Sequence, residues 1–263
     1  AGRRDDKDER NQFVWEYVRL VDELRPKFFL MENVPRITIA KDNGVPFVEK
    51  LLEQFRLLGY QAKLFAINAR DYGVPQVRKR VFVVGNRIGK NPVAPRPVCV
   101  ETPNLFEQGA LFTTVGDALS DLPEPAFRDP QDYLLAPLTD YQKYLRTGAT
   151  GIYNHTPCVH KPEMVEKLRD QVPGTRLYPT CNHSWYKLVL DRPCPTVKEN
   201  HRAPFVHPIS PRVTTPRECA RLQSFPDRYV IMGTKSAQLI QVGNAVPPLV
   251  GKHWAQVIGD GLA

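Results

Sequence analysis

Between two amphipathic helical runs stands FFLM (residues 28–31), four consecutive apolar residues in a run too short for a helix. Such a run reads as a strand buried on both faces, and the flanking helices then have to cover those faces. The first helical run carries Phe13, Tyr17, Val21 and Leu24 at helical spacing and is ended by Pro26. The second, PFVEKLLEQFRLLG, sets Phe47, Leu51, Phe55 and Leu58 on one face and closes at Gly59. YQAKLFAIN and RVFVVGN follow as strands. The first ninety residues therefore read as half of a doubly wound α/β sheet of the open, parallel kind, with no strand expected before residue 12.

From about residue 90 this pattern is lost. NPVAPRPVCVETP opens a proline-rich stretch that runs to HPISPR near residue 212. Proline fixes φ and removes a backbone donor, so the stretch reads either as a loop-rich binding domain or as a disordered insertion. WYKLVL (residues 185–190) is its best strand candidate. Regular structure returns at TPRECARLQ, with Thr215 as N-cap, Pro216 as first helical residue and Glu218 completing a capping box. A helix around KSAQLIQV stops at Gly243-Asn244. Pro247 and Pro248 then start a last helix carrying Leu249, Val250, Trp254, Val257 and Ile258. The chain is expected to divide into an α/β portion (1–92), an irregular portion (93–210) and a helical return (211–263).

Hydrophobic residues make up 42% of the 263 and charged residues 24%, ample for a sizeable core. The net charge of +8 favours a polyanionic partner, the alternative being a basic enzyme with an ordinary solvated surface. Cys99, Cys158, Cys181, Cys194 and Cys219 are odd in number and nowhere spaced as Cys-x-x-Cys, so neither a disulfide scaffold nor a zinc site is signalled. No apolar run reaches membrane-spanning length, and AGRRDDKDERN does not read as a signal peptide. A reducing, cytoplasmic setting is the default expectation.

In an open α/β sheet, ligands bind beyond the carboxyl ends of the strands. Glu32 and Asn33 stand at such an end, and the loop DYGVPQVRKR stands one strand later. Alone, Glu32 reads equally as a capping or salt-bridged surface carboxylate, and Arg78 with Arg80 as a solvated basic patch. Gln76, Arg78 and Arg80 nevertheless alternate at strand spacing, which directs all three to one face and Val77 with Lys79 to the other. A carboxylate and three donors converging there suit a planar ring with both donors and acceptors.

MENVP, DYGVPQVRKRVFVVG, RVTTPRECARLQSFPD and QVGNAVPPLVG occur in this order, and together they resemble four blocks of the DNA cytosine-5 methyltransferase family. The likeness runs from about residue 8 to the end, with residues 95–180 matching only in being variable, as the family's target-recognition domain is. It implies that 1–92 is part of an S-adenosylmethionine-dependent methyltransferase's Rossmann-like sheet, that 93–210 is a smaller, loop-rich target-recognition domain, and that 211–263 returns to the catalytic domain. The implied reaction moves a methyl group from S-adenosylmethionine to carbon 5 of a cytosine flipped out of double-stranded DNA, after a cysteine thiolate has added to carbon 6. Glu32 matches the acid that protonates ring nitrogen 3 and accepts from the exocyclic amine. Arg80 matches the arginine that holds O2, while Arg78 and Gln76 would support the loop.

By the same resemblance, Asn244, Ala245 and Val246 lie against the methionine end of S-adenosylmethionine, where a plain helix–turn–helix joint is the alternative. DRPCPTVKENHRAPFVHP matches the family's Pro-Thr segment, with Thr196 and Val197 near the flipped nucleotide's backbone. Lys198, Asn200, His201 and Arg202 follow, placed to reach DNA phosphates or else simply forming an exposed loop. Arg217 and Glu218 are expected in structural pairs, and Cys219 in the core rather than as a nucleophile.

The likeness has gaps. The family's Phe-x-Gly-x-Gly loop, its ribose-binding acid and its Pro-Cys-Gln nucleophile loop are not found in these residues. Cys194, in RPCPT, belongs to the recognition region, and AGRRDDKDERNQF resembles the stretch that follows the nucleophile loop. The expectation is a restriction-modification-like methyltransferase whose thiolate comes from a longer chain or a second polypeptide, inactive without it and nucleoid-associated in a bacterium. A non-catalytic DNA-recognition subunit is the competing reading, and an RNA-methylating relative a third. An acid such as Glu32 favours the first, since a pure binder has no need of a proton donor.

Overall fold

A computed structural model of the chain describes residues 12–42, 44–102, 109–181, 184–199 and 202–262. It divides into two compact units, the first made of Ala1–Ile67, Lys79–Arg96 and His253–Ala263, the second of Asn68–Arg78 and Pro97–Lys252.

The first unit begins with α1 (Gln12–Leu24) and β1 (Phe28–Asn33). A 3-10 turn over Pro35–Ile39 leads to the short β2 (Lys41–Asp42) and β3 (Val45–Pro46), then to α2 (Phe47–Leu57), β4 (Gln61–Asn68) and β5 (Lys79–Asn86). Gly59, at φ +85, takes the left-handed conformation that ends α2. β1, β4 and β5 form a three-stranded sheet in the order β1-β5-β4, and β2 pairs with β3 separately. β5 runs antiparallel to β1, pairing Phe29 with Gly85 and Glu32 with Phe82, so the sheet departs from the all-parallel expectation. Residues 69–78 are too few for the crossover that a parallel return needs, whereas the segment through α2 supplies one between β1 and β4.

Phe29, Met31, Val81 and Val83 of the sheet pack with Val21, Leu51, Phe55 and Tyr60. The Phe29 ring lies 4.2 Å from that of Phe55 and meets that of Tyr60 edge-on at 5.3 Å, the latter an arrangement that aromatic pairs favour. Trp254 of the C-terminal helix is fully buried against Phe82 (5.3 Å) and Phe65 (6.0 Å). Residues of both helices gather in the one cluster that holds Phe29 and Met31, rather than covering opposite faces of the strand, and of the first run Tyr17 and Val21 pack there while Phe13 and Leu24 are exposed.

The second unit is built from short elements. β6 (Cys99–Val100) pairs with β7 (Ala110–Leu111), and α3 (Val115–Leu119), α4 (Asp140–Arg146) and α5 (Pro162–Asp170) follow. β8 (Tyr186–Lys187) pairs in parallel with β9 (Phe205–Val206), ahead of α6 (Pro216–Leu222), α7 (Lys235–Asn244) and α8 (Pro248–Leu262), whose first turn belongs here. WYKLVL forms a ladder only at Tyr186 and Lys187. Its later carbonyl, Leu190 O, accepts instead from Gly116 N, and Arg192 O accepts from Val115 N, so this chain satisfies the start of α3 rather than a strand.

Thr215 caps α6 as expected, its hydroxyl accepting from Glu218 N while the Glu218 side chain returns to the Thr215 amide. Thr114 with Asp117 and Thr139 with Gln142 form two further capping boxes. The core gathers Val115, Leu188, Val197, Phe205, Cys219, Leu222 and Val242. Through it runs a buried ionic network in which Arg221 is clamped between Asp121 and Asp227, with Tyr133 donating to Asp227 at 2.7 Å. Buried charges persist only when each is paired and hydrogen-bonded, which this cluster achieves.

Candidate functional site

The opening strand ends in a local device. Asn33 Oδ1 accepts from Val34 N at 2.8 Å, turning the chain, and Val34 takes the extended conformation required ahead of Pro35. Glu32 is thereby held at the last hydrogen-bonded positions of β1. Across the sheet, Asn33 pairs with Val81, and Arg80 is the next residue out. Arg80 Nε reaches Glu32 Oε1 at 2.9 Å, while Nη1 donates to Lys79 O at 2.8 Å. Both side chains are mostly covered, 27% and 17% exposed for Glu32 and Arg80. Burial pulls the Arg80 guanidinium below its ordinary value, and Glu32 offsets part of that. An acid and a guanidinium side by side are what a ring with adjacent polar edges requires.

Gln76 and Arg78 have other partners. Both are buried, matching the alternation expected over 76–80, but β5 starts only at Lys79 and the three side chains do not share one site. Gln76 Nε2 donates to Leu222 O and to Gln223 Oε1, each at 3.1 Å, and Gln76 Oε1 accepts from Val197 N at 3.0 Å. Arg78 donates to the carbonyls of Val197 (2.9 Å), Gly243 (2.9 Å) and Ala245 (3.0 Å). Glu32 and Arg80 are brought together in the first unit, whereas Gln76 and Arg78 hold the backbone of the second.

Asn244 ends α7, and Ala245 lies in extended backbone. Asn244 is exposed and Ala245 and Val246 half-buried, so the turn exposes the Asn244 side chain while its carbonyls at 243 and 245 are held from within. Gly243 is required by a close approach: a Cβ there would lie 2.5 Å from Lys198 O and from Glu199 N. Sequence alone marks Gly243 as a helix end; the chain crossing it is 45 residues earlier and leaves no local signal.

The Thr196 segment is mounted on the loop before β5. Cys194 N donates to Pro75 O (2.9 Å), Val77 N to Cys194 O (2.8 Å), and Thr196 Oγ1 to Val77 O (2.7 Å). The Thr196 hydroxyl therefore has a structural partner, while Lys198 and Arg202 are exposed. Asn200 and His201 lie outside the described residues. Beside this segment is a cleft of about 510 Å³ lined by Arg176, Ser184, Tyr186, Thr196, Lys198 and Phe205 among others, with two cations and no carboxylate among the described residues of its lining.

Burial pushes the Cys219 thiol up to about 12 and raises Cys99 and Cys194 as well, the opposite of what activates a nucleophile. Among the described residues, no group of three or more His, Cys, Asp or Glu is disposed to hold a metal ion, and no helix is long and apolar enough to cross a membrane. Arg217 donates to Tyr153 O, Tyr229 O and Asn154 Oδ1, and Glu218 pairs with Arg212 at 2.8 Å, so this helix is scaffold.

A family model described as C-5 cytosine-specific DNA methylase matches residues 1–260. The type II methyltransferase M.DdeI of Desulfomicrobium norvegicum is 34% identical, the match covering 98% of this chain and 69% of that protein. The type II methyltransferase M1.HphI of Haemophilus parahaemolyticus is also 34% identical, over 95% of this chain and 61% of its own length. Among solved structures, a protein described as a DNA modification methyltransferase encoded within a prophage (E. coli) superposes with a TM-score of 0.74 at 26% identity, covering 96% of this chain and 74% of that one. The chain thus spans between three fifths and three quarters of the length of these relatives.

Proposed function

The chain belongs to the C-5 cytosine-specific DNA methylase family, and from that premise we propose that it supplies the acid, the guanidinium and the DNA-facing segment of a type II cytosine methyltransferase. Its fold is that of the S-adenosylmethionine-dependent DNA methyltransferases, and the family's cofactor is S-adenosylmethionine. In this reading Glu32 gives a proton to ring nitrogen 3 of a flipped cytosine, and Arg80 stabilises the charge that develops at O2. The pairing of these two side chains at 2.9 Å is the observation that carries the reading, because it sets an acid beside a cation at one strand end.

The turn at Asn244, Ala245 and Val246 suits a small polar ligand group: its backbone is held from inside and the Asn244 side chain is exposed. Those residues would hold the methionine end of S-adenosylmethionine, which supplies the methyl group when bound. Lys198 and Arg202 meet phosphates of double-stranded DNA, and the cleft beside Lys198, with no carboxylate among the described residues of its lining, supports that polarity. Residues 93–210 then act as the target-recognition domain, and a DNA substrate puts the work at the nucleoid of a bacterial host. The attacking thiolate comes from outside these residues, through a longer chain or a second polypeptide: none of the five cysteines stands in a Pro-Cys-Gln loop, and Cys99, Cys194 and Cys219 are buried with raised thiols.

The test is Glu32→Gln in an enzyme completed with a Pro-Cys-Gln segment. Methyl transfer falls steeply while duplex affinity is kept. Loss of affinity with an unchanged rate per bound complex refutes the role of Glu32. The competing reading, a DNA-recognition subunit without catalysis, is sustained if the completed enzyme binds duplex and transfers no methyl group.

A further inference from the structure

Three stretches far apart in sequence meet on one side chain. Arg78 is 1% exposed, and its guanidinium donates to Val197 O through Nη1 and to Gly243 O and Ala245 O through Nη2. The first carbonyl belongs to the segment that carries Thr196 and Lys198. The other two flank Asn244 at the turn. A planar guanidinium presents its donors in a fixed fork, so displacing one acceptor loosens its grip on the others.

There is little slack elsewhere in this junction. The backbone at Lys198 and Glu199 passes so near Gly243 that one added carbon would overlap it. A second tie runs beside the first: Val197 N donates to Gln76 Oε1, Gln76 Nε2 donates to Gln223 Oε1, and Gln223 Nε2 donates to Val242 O at 2.5 Å. Both ties link the Thr196 segment to the end of α7, and both are buried. A restraint applied to one side is therefore transmitted to the other through short, fully engaged hydrogen bonds.

Resting on the reading above, we infer that Arg78 is a positioning residue that couples DNA binding at the Thr196–Lys198 stretch to S-adenosylmethionine binding at the Asn244–Val246 turn. Duplex held by Lys198 fixes Val197 O, the guanidinium follows, and the turn is ordered before the cofactor arrives. The coupling is reciprocal, so the cofactor strengthens DNA binding by the same factor as DNA strengthens cofactor binding.

The experiment uses the 263-residue chain with a labelled DNA duplex at low salt. Fluorescence anisotropy reads duplex binding, and hydrogen exchange reads the amides of residues 243–246. In the wild type, duplex slows exchange at those amides by about fivefold or more, the lower end of ordinary coupling. In Arg78→Lys, which keeps the charge but loses the fork, duplex still binds and the amides no longer respond. A wild-type chain that binds duplex without any response at 243–246 overturns the coupling alone. A wild-type chain that binds no duplex overturns the DNA-facing reading and the coupling with it. If Arg78→Lys does not fold, Gly243→Ala separates the two stretches with the guanidinium intact and must weaken the response. An undiminished response in a folded variant of either kind overturns the inference.

Discussion

Arg80 Nε and Glu32 Oε1 stand 2.9 Å apart on neighbouring antiparallel strands, although 48 positions separate the two residues in the chain. The contact follows from the sheet's register: Glu32 lies opposite Phe82, which makes Arg80, two residues further along β5, its diagonal neighbour on the same face. In a completed enzyme, Glu32→Gln removes the transferable proton and keeps the shape. The methylation rate should fall by about 10²–10⁴, the usual share of one acid–base group. Single-turnover methyl transfer, measured beside duplex affinity, separates this from a binding defect.

Lys198→Ala and Arg202→Ala test the DNA-facing segment. Each should weaken binding to all duplexes by a similar factor and lower the slope of log affinity against log salt by about one. Titrations over a range of salt concentrations on two unrelated duplexes check both parts. A change confined to one sequence would instead mark the residue as a base reader.

The buried network gives a stability prediction. Arg221→Met strands Asp121 and Asp227 without their shared cation, and losing one partner of a buried pair costs about 3–5 kcal/mol. Urea denaturation measures that loss. The exposed pair Arg128–Asp132 serves as the contrast, since Arg128→Met should leave the urea midpoint nearly unchanged.

Acid sensitivity should trace to Glu218. Burial alone would raise its pKa, but the Arg212 guanidinium wins and holds it at about 2, below the ordinary 4.5. A depressed carboxylate contributes stability that is complete above its unfolded pKa and lost as pH falls through its folded one. The wild type should therefore lose this contribution between about pH 5 and pH 2. Glu218→Gln should be less stable at pH 7, and the difference between the two proteins should shrink across that window in urea titrations.

Much of this fold is legible from residue patterns. The spacing of Phe47, Leu51 and Phe55, the left-handed Gly59 and the Thr215–Glu218 box are local, and each is found where the sequence puts it. WYKLVL is shorter as a strand than its composition suggests, because its last carbonyl, Leu190 O, is taken up by α3. The direction of β5 is hidden as well, since short-range periodicity carries no information about which way a neighbour runs. At the site, Glu32 with Arg80 is readable from strand ends. Arg78 is not: its acceptors lie 119, 165 and 167 residues away, and all are backbone atoms that any residue offers. Arg221 escapes for the same reason, with Asp121 100 positions earlier.

The grip on residues 194–197 has an evolutionary consequence. Cys194 is held by its own N–H and carbonyl, and Val197 by its N–H and carbonyl, while the side chains of both fill the core. The Thr196 hydroxyl adds a chemical requirement. Segments of differing sequence can therefore be seated on the same socket, provided they keep apolar side chains at 194 and 197, a hydroxyl at 196 and a thread of backbone slim enough to pass Gly243. A scaffold of this kind permits the segment it carries to be exchanged without redesigning the frame that holds it.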